Sequence, residues 1–314
     1  MSYKLHFVGP LANVDESIYY LDKILENNFK VLEININEYS QFHYIVRNSY
    51  ERDLGRKLSL NNCHSKNLKV YYIHNSFELK NFDENHPFPY KEENDFDQKM
   101  YLEYLDPIIE LLRIFKEGNI CIPFRDYYWE KDGIFTKLSS ISTMNPTLRG
   151  GFVLNPNEIF EIKKFLKNTK IPFEEDSIEL AFQNYRLSYQ VRNINLQFLS
   201  IINGLESLLH PGNEGELTYR ISRNLGVLIA ENENDANNIF SKMKFLYSKR
   251  SRIVHNGKAD IKNEDVLLAR HYLRECIKKF NKLYKYRDNY FKNDYNFKDS
   301  VFKLLTAKGF GDQL

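Results

Sequence analysis

Two hydrophobic periods divide the chain. In the first half, short apolar runs alternate with polar residues, the pattern of half-buried strands with a helix or two between them. Lys4–Val8 predicts a strand, and Ser17–Glu26 predicts a helix with Ile18, Leu21, Ile24 and Leu25 as its apolar side. Val31–Ile36 predicts a strand with Leu32, Ile34 and Ile36 on one face, and Leu68–Leu79 predicts another. Asp97–Lys116 reads as a helix, bent or split at Pro107 and stopped by Gly118. Asn119–Pro123 and Tyr127–Ser139 read as strands, with a hairpin turn at Lys131–Asp132–Gly133.

Beyond Arg149–Gly150–Gly151 and Asn155–Pro156 the period becomes helical. Asp176 and Glu179 have capping-box spacing, and they open a predicted helix running to about His210. Its stripe is Val191, Ile194, Phe198, Ile201, Leu205 and Leu208. Leu217–Ala230 predicts a second helix. A third, capped by Asn234 or Asp235, carries Ile239, Met243 and Leu246 and stops at Asn256–Gly257. A fourth, capped by Asn263, carries Val266, Ala269, Leu273, Cys276, Phe280 and Leu283, and Phe297–Ala307 is a last short helix. About four amphipathic helices with short loops favour an up-and-down bundle. The expected class is α+β: an N-terminal mixed α/β module over residues 1–170 and an all-α domain over 171–314.

Composition adds little until charge is resolved by region. The 314 residues carry a formal net charge of +2, so the whole-chain balance selects no partner. Residues 81–110 hold nine acids against two lysines, whereas 241–300 hold sixteen Lys and Arg against seven acids. The second region is either a set of solvated helix faces or a surface for a polyanion. Three scattered cysteines, Cys63, Cys121 and Cys276, imply neither a disulfide framework nor a zinc site, and no metal or other cofactor is expected. No leader-like start and no apolar run of bilayer length are seen, so no membrane association is expected and a cytoplasmic location is the default.

The candidate chemistry lies at the end of the third helix. Arg250 and His255 are the pair of interest, with Lys249, Ser251, Arg252 and Asn256 as supporting residues. His255 sits where the helix dipole favours a protonated imidazole, which suits general acid or base work. Arg250 could stabilise charge on a phosphate through a two-pronged hydrogen bond. Residues five apart point about 140° from each other on a helix, so Arg250 and His255 need not share a face. Each has a structural reading as well. His255 caps carbonyls, Arg250 and Arg252 are solvated or paired, and Glu206 is an arginine's salt-bridge partner. Arg220 and Arg223 read as surface charges before RNA contacts, and Arg125–Glu130 as a packed hairpin.

An Arg followed four to six residues later by a His is a weak motif alone. Its setting resembles the Apea-like HEPN domains. The specific stretch is Leu246–Tyr247–Ser248–Lys249–Arg250–Ser251–Arg252–Ile253–Val254–His255–Asn256–Gly257. Leu205–Glu206–Ser207–Leu208 and Tyr219–Arg220–Ile221–Ser222–Arg223 support it. The resemblance covers about residues 180–285. It implies a HEPN-type four-helix bundle that forms a homodimer, so that two Arg–His motifs meet at the two-fold axis. It further implies metal-independent endoribonuclease activity in antiphage defence (abortive infection) or as a toxin, triggered by a phage or host protein. Many such motifs carry Asn, Asp or His directly after the Arg, where this chain has Ser251. Residues 1–170, which show no catalytic pattern, would sense or regulate, with the acidic stretch Asp83–Asp97 one means of masking a basic RNA path. The alternative from another class is a non-catalytic HEPN module that binds RNA or protein.

Overall fold

The computed structural model describes residues 3–34, 70–79, 90–142, 151–210, 216–257, 259–291 and 296–310. The chain forms two compact units, Met1–Asn168 and Thr169–Leu314. The first is built on a sheet and the second is mostly helical.

The first unit has five antiparallel strands in the order β2-β3-β1-β4-β5: β1 Tyr3–Pro10, β2 Lys30–Ile34, β3 Val70–Glu78, β4 Phe124–Lys131 and β5 Ile134–Ser142. β1 is central because it is apolar enough to be covered: five of its last six residues, Leu5, Phe7, Val8, Gly9 and Pro10, are apolar or glycine, and all six are buried. Leu5 and Phe7 pack with Tyr71, Ile73 and Tyr127 against Ile18 and Leu21 of a 3₁₀ helix, Glu16–Lys23, and against Leu105, Ile109 and Leu112. The β4–β5 hairpin closes through Asp132 and Gly133, both at positive φ, a two-residue turn whose twist suits an antiparallel pair. The expected strand at Asn119–Pro123 is only one bridge, between Ala12 and Cys121.

β2 departs from the sequence reading by one position. Val31, opposite Ile73, enters the core, and Leu32 is half-buried. Period two makes a one-residue error exchange the faces, and a run with Val31, Leu32 and Ile34 does not mark its own register. Ile36 and the acidic stretch up to Pro89 lie outside the described residues.

The helix expected at Asp97–Lys116 starts earlier and does not break at Pro107. α1 (Tyr90–Phe96) runs into a π-helical stretch, Asp97–Leu105, and then into α2 (Asp106–Phe115). Pro107 has no N–H to give, and the Asp106 N–H donates to Tyr101 O, five residues back, so the helix widens where the ladder would be interrupted. α3 (Ile159–Asn168) completes the unit.

In the second unit the single helix expected from Asp176 to about His210 is two, α4 (Asp176–Gln190) and α5 (Ile194–Leu209). Val191 and Asn193 are extended, and the Asn193 side chain accepts from the Asn195 and Leu196 N–H groups as a fresh N-cap. The apolar stripe runs through the break, which is why periodicity missed it. The capping box also fails. Glu175 is the N-cap without a side-chain capping bond, its carboxylate accepting from the Ser177 hydroxyl, and Glu179 accepts from the Phe173 N–H instead. α6 (Leu217–Ile229), α7 (Glu233–Asn256), α8 (Asn263–Lys285), the short α9 (Arg287–Tyr290) and α10 (Phe297–Ala307) follow. α4 packs on α5, α5 on α8 and α6 on α7. The α5–α8 contact is close: a Cβ on Gly204 would lie 2.7 Å from a Leu273 methyl and 3.2 Å from the Ala181 carbonyl oxygen. The α8 stripe from Val266 to Leu283 is buried throughout.

Candidate functional site

α7 is held by what it buries. Asn232, rather than Asn234 or Asp235, caps it by accepting from the Asp235 N–H, and Ala236, Ile239, Met243, Leu246, Tyr247 and Ile253 face inward. It ends where Gly257 adopts a left-handed φ of 67° and donates to Ile253 O at 2.9 Å. This anchoring sets the direction of each candidate side chain.

Arg250 points towards α5. Its Nε lies 3.3 Å from Glu206 Oε1 but off the hydrogen-bonding axis, and its guanidinium stands 5.7 Å from the Tyr247 ring centre. The Tyr247 hydroxyl donates to the same Glu206 oxygen at 2.7 Å. Burial raises the Tyr247 phenol above its usual range, the bond to Glu206 and that carboxylate's charge add to the effect, and Arg250 opposes it. Arg250, Glu206 and Tyr247 therefore form a half-buried cluster between α5 and α7. Glu206 stands in the salt-bridge position read from its apolar surroundings.

Lys249 faces the other way and is engaged within the fold. Its Nζ meets Asp265 Oδ2 at 2.6 Å and Asp260 O at 2.9 Å, and lies 4.7 Å from the Phe245 ring centre. The pair ties α7 to the first turn of α8, where Asp265 also accepts from the Lys262 N–H at 2.8 Å. Ser251 is half-buried, and Arg252, His255 and Asn256 are exposed on the last turn and a half. The structure thus brings Arg250 to Glu206 and leaves His255 in solvent, on the different bearing that a five-residue separation dictates.

Sequence reasoning named Tyr247 within the Leu246–Gly257 stretch and gave its hydroxyl no role. A Tyr three residues before the Arg on one helical face was the available signal. Arg223, weighed as a surface charge or an RNA contact, closes the end of α10 instead, donating to Leu305 O at 2.9 Å and Lys308 O at 2.7 Å.

The first unit has its own polar clusters. Asp97, carried by the π-helical stretch, accepts from Arg125 through both carboxylate oxygens (Nη2 to Oδ2, 2.8 Å) and from the Tyr127 hydroxyl, and Arg125 lies 4.2 Å from the Tyr101 ring centre. On the opposite face of the sheet, His6 Nε2 is 2.8 Å from Glu130 Oε2 and His6 Nδ1 is 3.1 Å from His74 Nε2. Among the described residues no group of three or more His, Cys, Asp or Glu could hold a metal ion, and no helix is long and apolar enough to cross a membrane. Compared with protein-family models, curated proteins and solved structures, the chain matches none.

Proposed function

We propose that the helical unit is a HEPN-type endoribonuclease that cleaves RNA without a metal, by attack of the 2′-OH on the adjacent phosphate. The observation that carries the reading is the last part of α7: a histidine exposed to solvent, and five residues before it an arginine whose one carboxylate contact among the described residues is misaligned. In this reading His255 takes the 2′-OH proton or returns one to the leaving 5′ oxygen, and Arg250 exchanges Glu206 for the phosphate. One chain supplies one Arg and one His, so the proposed site is shared by a two-fold homodimer. RNA is the partner of the site, and antiphage defence or a toxin role, with the sheet unit sensing or regulating, is the setting proposed.

The test is purified protein with total and transfer RNA in EDTA, beside His255→Ala. Expected are products ending in a 2′,3′-cyclic phosphate from the wild type and none from the variant. Products with a 5′-phosphate, strict magnesium dependence, or a monomer by light scattering that retains activity would overturn the mechanism. The second reading, a non-catalytic module that binds RNA or protein, is favoured by one observation, the placement of Arg250 in a cluster with Glu206 and Tyr247. RNA binding without cleavage, unchanged in His255→Ala, would select it.

A further inference from the structure

From Ala236 to Asn256, α7 contains no Asp or Glu, and it contains Lys242, Lys244, Lys249, Arg250, Arg252 and His255. Lys249 and Arg250 are turned to Asp265 and Glu206. Lys242, Lys244, Arg252 and His255 are exposed. Ser241, Phe245, Ser248, Arg252 and His255 follow one another at steps of four, three, four and three, which places them in one row along the helix.

Phe245 is the anomaly in that row. It is 53% exposed, in the middle of the basic stretch. Its position is held from one side: Lys249 Nζ lies 4.7 Å from the ring centre and is itself fixed by Asp265 and the Asp260 carbonyl. An aromatic ring backed by an anchored cation, with its outer side in solvent and exposed cations along the same helix, has the makeup of a base-stacking platform in a phosphate-attracting groove.

We propose that Phe245 stacks a base of single-stranded RNA, with Arg252 on the backbone between that base and His255; the reference to a scissile bond rests on the function proposed above. Ten residues of α-helix separate Phe245 from His255, about 15 Å, the length of roughly four stacked nucleotides at 3.4 Å each. A duplex presents no free base face to the ring, so the platform selects single strands, loops and ends. The occupant is a polyanion rather than a second copy of the chain. A two-fold contact centred on Phe245, as distinct from a meeting of the Arg250–His255 ends, would set Lys242 and Lys244 against their own images, with no carboxylate on the stretch to separate them.

The experiment uses the full chain and a labelled mixed-sequence 12-mer of 2′-O-methyl RNA, which has no 2′-OH to attack, so binding is read without cleavage. The single strand and its duplex are titrated by anisotropy against wild type, Phe245→Ala and Phe245→Trp. Phe245→Ala is expected to weaken the single strand at least about fivefold and the duplex by less than twofold, with the thermal midpoint unchanged because the ring is exposed. Phe245→Trp is expected to keep the affinity, and its emission to be quenched by the bound single strand, with Trp129, the one natural tryptophan, as reference. Equal single-strand affinity in Phe245→Ala, an unquenched tryptophan at saturation, or no binding by the wild type at tens of micromolar would overturn the proposal. So would a shift from dimer to monomer in Phe245→Ala, which would assign the face to self-association. The result is separable from the catalytic reading. A Phe245 effect on binding stands if His255→Ala cleaves normally, and its absence stands against the platform even if His255→Ala is dead.

Discussion

Both units set an arginine against a carboxylate that also accepts a tyrosine hydroxyl, and the two clusters are built for opposite ends. In the sheet unit, Arg125 meets Asp97 with two prongs, the side chains are 7% and 12% exposed, and Tyr101 lies across the guanidinium. In the helical unit, Arg250 meets Glu206 through one misaligned nitrogen at 3.3 Å, with the side chains 25% and 20% exposed. The first pair satisfies both charges in place, and removing either partner would strand the other in a dry site. The second leaves donor capacity and solvent access, so the arginine can change partner at small cost. The same three residue types give a fastening in one unit and an exchangeable contact in the other, and the difference lies in alignment and exposure.

The comparison breaks most visibly at the buried pair. Asp97→Asn leaves Arg125 without a counter-charge, and a loss of about 3–5 kcal/mol is expected in urea unfolding. A change under about 1 kcal/mol would show that the sheet unit tolerates the charge and that the two clusters do not differ as argued. Arg250→Ala should do the reverse. Its cost in stability is expected to be about 1 kcal/mol or less, since the pair is part-exposed and poorly aligned, while RNA cleavage falls by about 10²–10³ from the lost charge stabilisation. Cleavage that tracks stability, with both nearly unchanged, would leave Arg250 a structural residue. Smaller again is Glu206→Gln. It removes the competitor for Arg250, so RNA should bind more tightly by a few-fold with unfolding changed by about 1 kcal/mol or less. Weaker binding would mean that Glu206 positions Arg250 rather than restrains it.

What the sequence made legible follows from the range of each force. Strand and helix periods are local, so the β4–β5 hairpin, the α8 stripe and the glycine stop of α7 could be read from neighbours along the chain. The Arg–His motif was legible for the same reason. The break between α4 and α5 was not, because Asn193 caps without interrupting the apolar spacing. Nor was the π-helical stretch, because a proline announces a missing donor without saying whether the helix ends or widens. The partners of Lys249 and Arg250 were the least legible. Asp265 and Glu206 are 16 and 44 residues away, and no local pattern says which of several basic residues on one helix turn inward. Glu206 was found only because a charge among apolar residues needs a partner.

The smallest expected effect adds a proton rather than removing a partner, and it separates the units by pH. His6 is nearly buried on β1, and burial lowers its pKa below the usual value; Glu130 works against this by hydrogen bond and charge, and Lys4 adds to it. One proton arrangement satisfies both ring contacts: His6 Nε2–H donates to Glu130, and His6 Nδ1 accepts from His74 Nε2–H. Protonating His6 places a second donor against His74 and breaks that arrangement. The folded state therefore binds this proton less readily than the unfolded chain. The His6 contribution to stability is fully present above the unfolded pKa near 6.5 and is lost as pH falls through 6.5 towards the lowered folded value. Unfolding of the full chain at pH 7.5 and 5.5 should show a decrease in the wild type that is smaller in His6→Gln, the histidines outside the His6–His74 pair contributing equally to both. An identical decrease in the two proteins would mean that the cluster on the sheet face accommodates the charge. The helical unit should be indifferent to the substitution: cleavage at pH 7.5 by His6→Gln should equal that of the wild type, because the proposed site lies at the end of α7, where His255 is exposed.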